Sequence, residues 1–300
     1  MYEDEIIEHV LAVSADRSPG ITIPSGDDAA ELTIDHNRLL VCVDQVVEGR
    51  HFTRDTASYL EIGYKSVARA ISDIAAMAGT PTAVLASVAL PPDMGSDDAR
   101  DLVNAVNSAA TYYGAVLIGG DTCIHDNEGR GLVISITVLA KSHPSGSITR
   151  AGAMKGDLIY VTGTVGGSLD ADGRGGHLAF EARITPAIAL ADSVACRLHA
   201  MIDTSDGLGR DACRISSASQ VKLVIETSAI PCKKGLSWKE AAVHGEDYEL
   251  LFCAAGDVPS IIDGIPVTCI GEVKSGRGAC FIDDGKCMDA SSFGWEHATS

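Results

Sequence analysis

The 300 residues, 46% hydrophobic and 21% charged, are enough for a sizeable core in one large domain or two of ordinary size. With 41 acidic and 23 basic residues the net charge is −18, which argues against a nucleic-acid phosphate grip and means that a polyphosphate would need Mg²⁺ to approach. No apolar run nears the ~20 residues of a membrane span; the acidic start is unlike a secretory leader, and nine scattered cysteines without a C-x-x-C pair read as reduced thiols in a cytoplasmic setting, with no zinc site.

In chain order, the pattern predicts a short amphipathic helix over 3–15 and a tight turn at Gly26-Asp27-Asp28-Ala29-Ala30. A continuous apolar strand follows over 39–43 and ends at Asp44. Leu60, Tyr64, Val67, Ala68, Ile71 and Ala75 recur at helical spacing, and Gly79 with Pro81 supplies a stop. Asp73 lies within this helix beside small residues that allow other segments to approach. A strand over 83–90 ends at Pro91-Pro92, and a helix with Ser96 as N-cap carries Asp97 and Asp98 in its first turn. Strands are expected over 115–118, leading into Gly119-Gly120-Asp121-Thr122, and over 132–139.

The Ser-, Gly- and Pro-rich stretch 141–152 marks the best division, giving an N-terminal domain over residues 1–142 and a C-terminal domain over residues 143–300. The second domain restarts with a strand over 158–161 and the loop Gly163–Ser168. A helix over 186–198 precedes Asp203-Thr204-Ser205-Asp206-Gly207-Leu208. A helix to about Ser219, a strand over 221–225 and a final strand pair turning at Asp283-Asp284-Gly285 complete the pattern. Strands and helices mix in both domains, so the fold class is α+β, or mixed α/β, in two layered domains.

The chain contains no P-loop, and Gly163–Ser168 lacks dinucleotide-binding spacing. A calcium loop around Asp170 would place Ala179 where a Glu is required. The carboxylates are more informative. A single Asp after a strand is usually a turn former, but Asp28, Asp44, Asp73, Asp121 and Asp206 each abut an apolar run with no adjacent Lys or Arg. Gathering such groups costs stability unless cations are present, and all-oxygen sites suit Mg²⁺ bridging to phosphates. Phosphoryl transfer needs chiefly positioning and charge neutralisation, so no dedicated nucleophile is required. His51 reads as a phosphate contact or a structural histidine, and Trp295 as a packing anchor or a stacking surface.

Taken together, these segments resemble thiamine-monophosphate kinase, of the superfamily that includes aminoimidazole ribonucleotide synthetase. The motifs run through Gly26–Ala30, Asp44 with Glu48-Gly49-Arg50-His51-Phe52, Gly63-Tyr64-Lys65 to Asp73, and Gly119–Thr122. They continue through Thr149–Gly152, Asp203–Leu208, Gly245-Glu246-Asp247-Tyr248-Glu249-Leu250-Leu251-Phe252 and Gly294-Trp295-Glu296-His297. The resemblance implies ATP-dependent phosphorylation of thiamine monophosphate by direct in-line transfer. It also implies a homodimer whose N-terminal sheets pair into a barrel. Several Mg²⁺ ions would be held by Asp28, Asp44, Asp73, Asp121, Asp203 and Asp206. ATP would meet Tyr113, Gly120, Asp121, Arg150 and Ser205, and the acceptor would meet His51, Glu246 and Trp295.

The chain departs from the family pattern at Cys42, Val43, Ala70, Gly167 and His244, and its 230–244 segment is shorter than usual. These departures motivate two alternative readings. One is another ATP-consuming member of the superfamily acting on a different small substrate; the other is a nucleotide-binding protein with decayed catalysis.

Overall fold

The structure, a computed structural model, describes residues 21–23, 26–34, 37–126, 129–170 and 173–295. The helix expected over 3–15 lies outside them.

The organising element is helix α1 (Tyr59–Ala76). Its start is set by a capping box: the Ser58 hydroxyl accepts from the Glu61 N–H, and the Glu61 carboxylate accepts from the Ser58 N–H at 2.8 Å. Of the expected stripe, Val67, Ala68, Ile71 and Ala75 are fully buried and Tyr64 partly so, whereas Leu60, in the first turn, is 66% exposed and Ile62 and Ile74 are buried in addition. Gly63 permits the close crossing of α1 over α2 (Ser96–Tyr112), because a Cβ there would lie 2.6 Å from the Ala105 Cβ. The helix caps at Met77, before Gly79, and Pro81 falls inside the next strand, β4 (Thr80–Leu90), beside a register shift that accommodates its missing N–H. The N-cap of α2 is Gly95, so Ser96 is its first helical residue and makes no cap; Asp97 and Asp98 do occupy the first turn.

The first sheet comprises β1 (Ile21–Ile23), β2 (Ala30–Ile34), β3 (Asn37–Val47), β4, β5 (Val116–Ile124) and β6 (Val133–Lys141), in the order β1-β2-β3-β6-β4-β5. All neighbours are antiparallel except β4 and β5. Strand β3 continues past the expected end at Asp44 to Val47, so Asp44 sits within the ladder opposite Ile136.

The second sheet contains β7 (Leu158–Thr162), β8 (Leu198–Asp203), β9 (Lys222–Glu226), β10 (Leu250–Ala254), β12 (Ile265–Lys274), β13 (Gly278–Asp283) and β14 (Lys286–Asp289), with β11 (Ile261–Ile262) pairing to β12. Its order is β14-β13-β9-β12-β7-β10-β8. Three further helices cover it: α3 (Ile184–Val194), α4 (Leu208–Ser219) and α5 (Trp238–Val243). The helix expected over 186–198 ends early, at Val194, where Ala195 takes φ 50° and a single 3-10 turn leads into β8.

Side chains of the second sheet alternate between two cores, as pleating requires. Tyr160, Met201 and Phe252 join α1, α2, α3 and the first sheet in one core. Ile159, Val161, Ile202 and Leu251 join α4 and α5 in the other. Helix α1 therefore packs against elements of both halves, and a polar residue on it can face a residue from either. The mixed α/β class with two sheets is as the sequence leads one to expect.

Candidate active site: carboxylates gathered around helix α1

Asp28 comes from the turn before β2, Asp73 from α1 and Asp203 from the end of β8. Their carboxylates offer oxygens that all lie within 4.8 Å of one another. The Ser72 hydroxyl donates to the Asp203 Oδ2 at 2.6 Å and ties α1 to the second sheet at this point. Burial, followed by the Asp203 and Asp44 charges, holds the Asp73 carboxyl well above the usual range. Burial and the Asp28 charge raise Asp203 to about 7. Three oxygens so close and so desolvated repel as anions, and a hard divalent cation relieves that repulsion; the all-oxygen donor set fits Mg²⁺.

Arginines hold the neighbouring carboxylates. The Arg150 guanidinium donates to both Asp28 oxygens, at 2.7 and 3.0 Å, and its main-chain N–H donates to Asp27 at 3.0 Å. Asp27 thus anchors the Arg150 loop as well as its own turn, and burial pushes it up to about 6. Arg69 donates to both oxygens of Asp44, at 2.8 and 3.3 Å. Arg214 donates to Asp206, and to the buried Asp211 at 2.7 Å. Asp28 and Asp44 are therefore held by forked, charge-assisted contacts and Asp206 by a single one, its arginine being shared with Asp211.

Asp121 and Gly120 lie on exposed β5, outside the three-carboxylate group. Only glycine fits at 120, because a Cβ would come within 1.7 Å of the Ala86 carbonyl oxygen across the parallel pair. Tyr113, at the end of α2, hydrogen-bonds Tyr64 at 2.8 Å and accepts from the Ala182 N–H at 3.1 Å. That packing places it under the segment before α3.

The two loops with the most specific sequences, Asp203–Leu208 and Gly245–Phe252, zip together along their backbones. Thr204 donates to Glu249 at 2.8 Å, Tyr248 to Thr204 at 3.0 Å, and Glu246 to Ser205 at 2.8 Å. Glu246 and Tyr248 both hold positive φ, 61° and 52°, a strained conformation for such residues and typical of functional loops. The Glu246 carboxylate lies 3.0 Å from the Lys65 ammonium and 3.3 Å from Arg69. The His51 Nδ1 accepts from the Val47 N–H at 3.0 Å, which fixes its ring in the turn after β3. The main-chain N–H of Trp295 donates to the Asp206 carbonyl at 2.8 Å, and its half-exposed indole ring centre lies 5.1 Å from the Arg50 guanidinium. Ser205, Asp206, Glu246 and Trp295 thus converge on one rim. An open cleft of about 630 Å³, lined by Glu48, Thr53, Arg54, Asp93 and Arg130 among others, shares no residue with the carboxylate group.

Four of the five departures from the family pattern form two contacting pairs, and the fifth, Val43, is exposed. The Cys42 thiol donates to the Ala70 carbonyl at 3.2 Å, both residues being buried between β3 and α1. The Gly167 N–H donates to the His244 Nδ1 at 2.8 Å, and Lys233 donates to the Gly167 carbonyl at 2.7 Å. A Cβ at 167 would meet the Lys233 side chain at 2.8 Å.

Sequence reasoning missed Lys65, Arg69, Ser72, His177 and Arg214. The visible signal was modest: Lys65 and Arg69 stand one turn apart in the largely apolar middle of α1, where a buried charge must have partners.

Residues 26–141 match the family described as AIR synthase related protein, N-terminal domain. The chain is 35% identical over 282 residues to thiamine-monophosphate kinase of Rhodopirellula baltica, covering 87% of this chain and 86% of that protein. It is 31% identical over 286 residues to the Bacillus subtilis thiamine-monophosphate kinase, covering 85% and 86%. Among solved structures, AaThiL complexed with AMPPCP and TMP superposes with a TM-score of 0.83 at 26% identity, covering 99% of this chain and 97% of that one.

Proposed function

This chain belongs to the thiamine-monophosphate kinase family, and on that premise we propose that it transfers the γ-phosphoryl group of ATP directly, in line, to the phosphate of thiamine monophosphate, forming thiamine diphosphate and ADP. The observation that carries the reading is the convergence of Asp28, Asp73 and Asp203 around α1, with Arg150 at its edge. Bound there, Mg²⁺ ions would neutralise the phosphate oxygens and offset the −18 charge of the protein. Asp28, Asp73 and Asp203 form the inner set of ligands in this reading, and Asp44, Asp121 and Asp206 extend it. Arg150 exchanges Asp28 for nucleotide phosphate, a planar fork suited to both. Tyr113, Gly120, Asp121 and Ser205 complete the ATP contacts.

On the acceptor side, Glu246 and His51 hold the substrate and Trp295 stacks on its rings. Transfer needs the two phosphates aligned within a near-attack distance, which is a positioning task for these residues. Purified protein supplied with ATP, Mg²⁺ and thiamine monophosphate is expected to yield ADP and thiamine diphosphate in equal amounts. No product at saturating substrate would sink the assignment.

We also propose that the active form is a cytoplasmic homodimer. The N-terminal domain, residues 1–142, would pair sheet to sheet with that of a second copy, and residues 143–300 would form the second domain. Two features support this. Strand β5 is an edge strand, and it exposes Val116 at 62% and Ile124 at 69%. Val43 on β3 is exposed at 65%, an apolar surface of the kind that association covers. No helix among the described residues is long and apolar enough to cross a membrane. Analytical ultracentrifugation at micromolar concentration is expected to give twice the 31.2 kDa chain mass; a single monomer boundary would remove the dimer.

A further inference from the structure

Lys65 is among the largest fully buried side chains of the protein, although it carries an ammonium group. An ammonium has three N–H donors, and here three acceptors from three separate segments of the chain meet them. The His51 carbonyl lies at 2.7 Å, the His177 Nδ1 at 2.6 Å and the Glu246 carboxylate at 3.0 Å. The first belongs to the turn after β3, the second to a 3-10 turn before α3, and the third to the strained loop before β10. His177 is itself buried, and its Nε2 faces the Gly173 carbonyl at 3.2 Å. An Nδ1 that accepts from Lys65 and an Nε2 that donates to Gly173 describe one neutral tautomer. Burial and the Lys65 charge lower the His177 pKa, in agreement with that tautomer.

We propose that Lys65 and His177 are positioning residues for the acceptor substrate, a pair that sets the separation and orientation of His51 and Glu246. The inference rests on the acceptor roles given above to His51 and Glu246. The physical reason is the geometry of the donor set. Lys65 projects from the rigid α1, and with two of its donors committed to His51 and Glu246, the third fixes the direction of the ammonium. Without His177 that donor is buried without a partner, and the ammonium turns or draws in water, taking the Glu246 carboxylate with it. None of Asp28, Asp73 and Asp203 is a hydrogen-bonded partner of Lys65, and the link to the outer carboxylate Asp44 runs through Arg69, whose fork on Asp44 does not depend on His177, so the inner metal ligands keep their own contacts in this change.

The test compares H177L with H177N, whose side-chain oxygen can accept in place of Nδ1, in the full chain. Calorimetry measures the affinity for a non-hydrolysable ATP analogue with Mg²⁺ and, separately, for thiamine monophosphate. H177L is expected to bind thiamine monophosphate about 10- to 100-fold more weakly, the cost of misplacing a contact by about an ångström, with analogue affinity unchanged and H177N largely restored. K65M serves as a second variant with the same expected pattern. Equal thiamine-monophosphate affinity in H177L and wild type overturns the positioning role, as does a parallel loss of both ligands, which marks a merely structural histidine. Wild-type protein that binds the analogue but not thiamine monophosphate overturns the acceptor assignment itself, before any variant is compared.

Discussion

Replacing Asp73 by Asn is expected to lower kcat about 10²- to 10³-fold, the usual loss when one fixed electrostatic contact to a transferring group is removed, while leaving the circular dichroism spectrum unchanged. Asp73 offers an oxygen within 4.8 Å of those of Asp28 and Asp203, and burial and the neighbouring carboxylates oppose its charge. The amide keeps the shape of the side chain but cannot neutralise a cation. Ligand-free stability should move the other way. Asp73 and Asp203 have folded-state pKa values above their ordinary one, so the stability they contribute is complete below about pH 4 and is lost as pH rises through the folded values, near 7 for Asp203. The wild-type Tm is therefore expected to fall between about pH 5 and pH 8 without metal, and Mg²⁺ to recover it most at the alkaline end. D73N removes one of the mutually repelling charges, which flattens that fall and raises the metal-free Tm at pH 8 by about 1–2 °C, the shift that ~1 kcal/mol produces in a protein of this size. Differential scanning calorimetry across the pH series, with and without Mg²⁺, checks the sign. Unchanged turnover in D73N would remove Asp73 from the metal shell.

Arg150→Ala is expected to act on both stability and nucleotide use. The Asp28 side chain is wholly buried against a guanidinium that is 21% exposed. Removing the arginine leaves a buried carboxylate beside two others, at a cost of about 3 kcal/mol, the low end for a broken buried pair because Arg150 reaches solvent. Some of that loss should return on adding Mg²⁺, since a cation replaces the missing positive charge at Asp28. The KM for ATP is expected to rise about 10- to 100-fold, the loss of a charge-assisted hydrogen bond. R150K should recover stability better than affinity, because a point charge cannot reproduce the two-pronged contact. Chemical denaturation with and without Mg²⁺, beside steady-state kinetics in ATP, separates the two effects; an R150A protein with wild-type KM for ATP would confine Arg150 to the ligand-free state.

These expectations turn on contacts that differ in how visible they are from sequence. The apolar stripe of α1 from Val67 to Ala75 and the turn at Asp284-Gly285 depend on residues a few positions apart, and the spacing states them directly; the capping box at Ser58 and Glu61 has the same local spacing but went unread. Boundaries were less legible. Asp44 lies within a strand because the ladder with β6 continues for three more residues, a matter of partner length that the apolar run alone does not record. Ser96 gave way to Gly95 as N-cap because the helix started one residue earlier than its hydroxyl suggested.

For the site, composition and local pattern were enough to single out carboxylates that abut apolar segments and carry no basic neighbour. That isolation in sequence is what makes a buried, cation-requiring group recognisable, and with the glycine turns and the Gly245–Phe252 run it identified the family. Which of the carboxylates meet, and what neutralises the rest, was decided only by tertiary structure. Asp28, Asp73 and Asp203 come together because α1 packs against both halves of the protein. Arg69, Arg150 and Arg214 find Asp44, Asp28 and Asp206 because a buried charge is tolerable only beside its opposite. Lys65 was equally hidden: its spacing on α1 is that of a core position, and its three partners approach only when the turn after β3, the segment before α3 and the loop before β10 have all packed around it. Local periodicity records how a segment pairs with itself. The pairing of charges across the core depends on the long-range packing that brings those segments together.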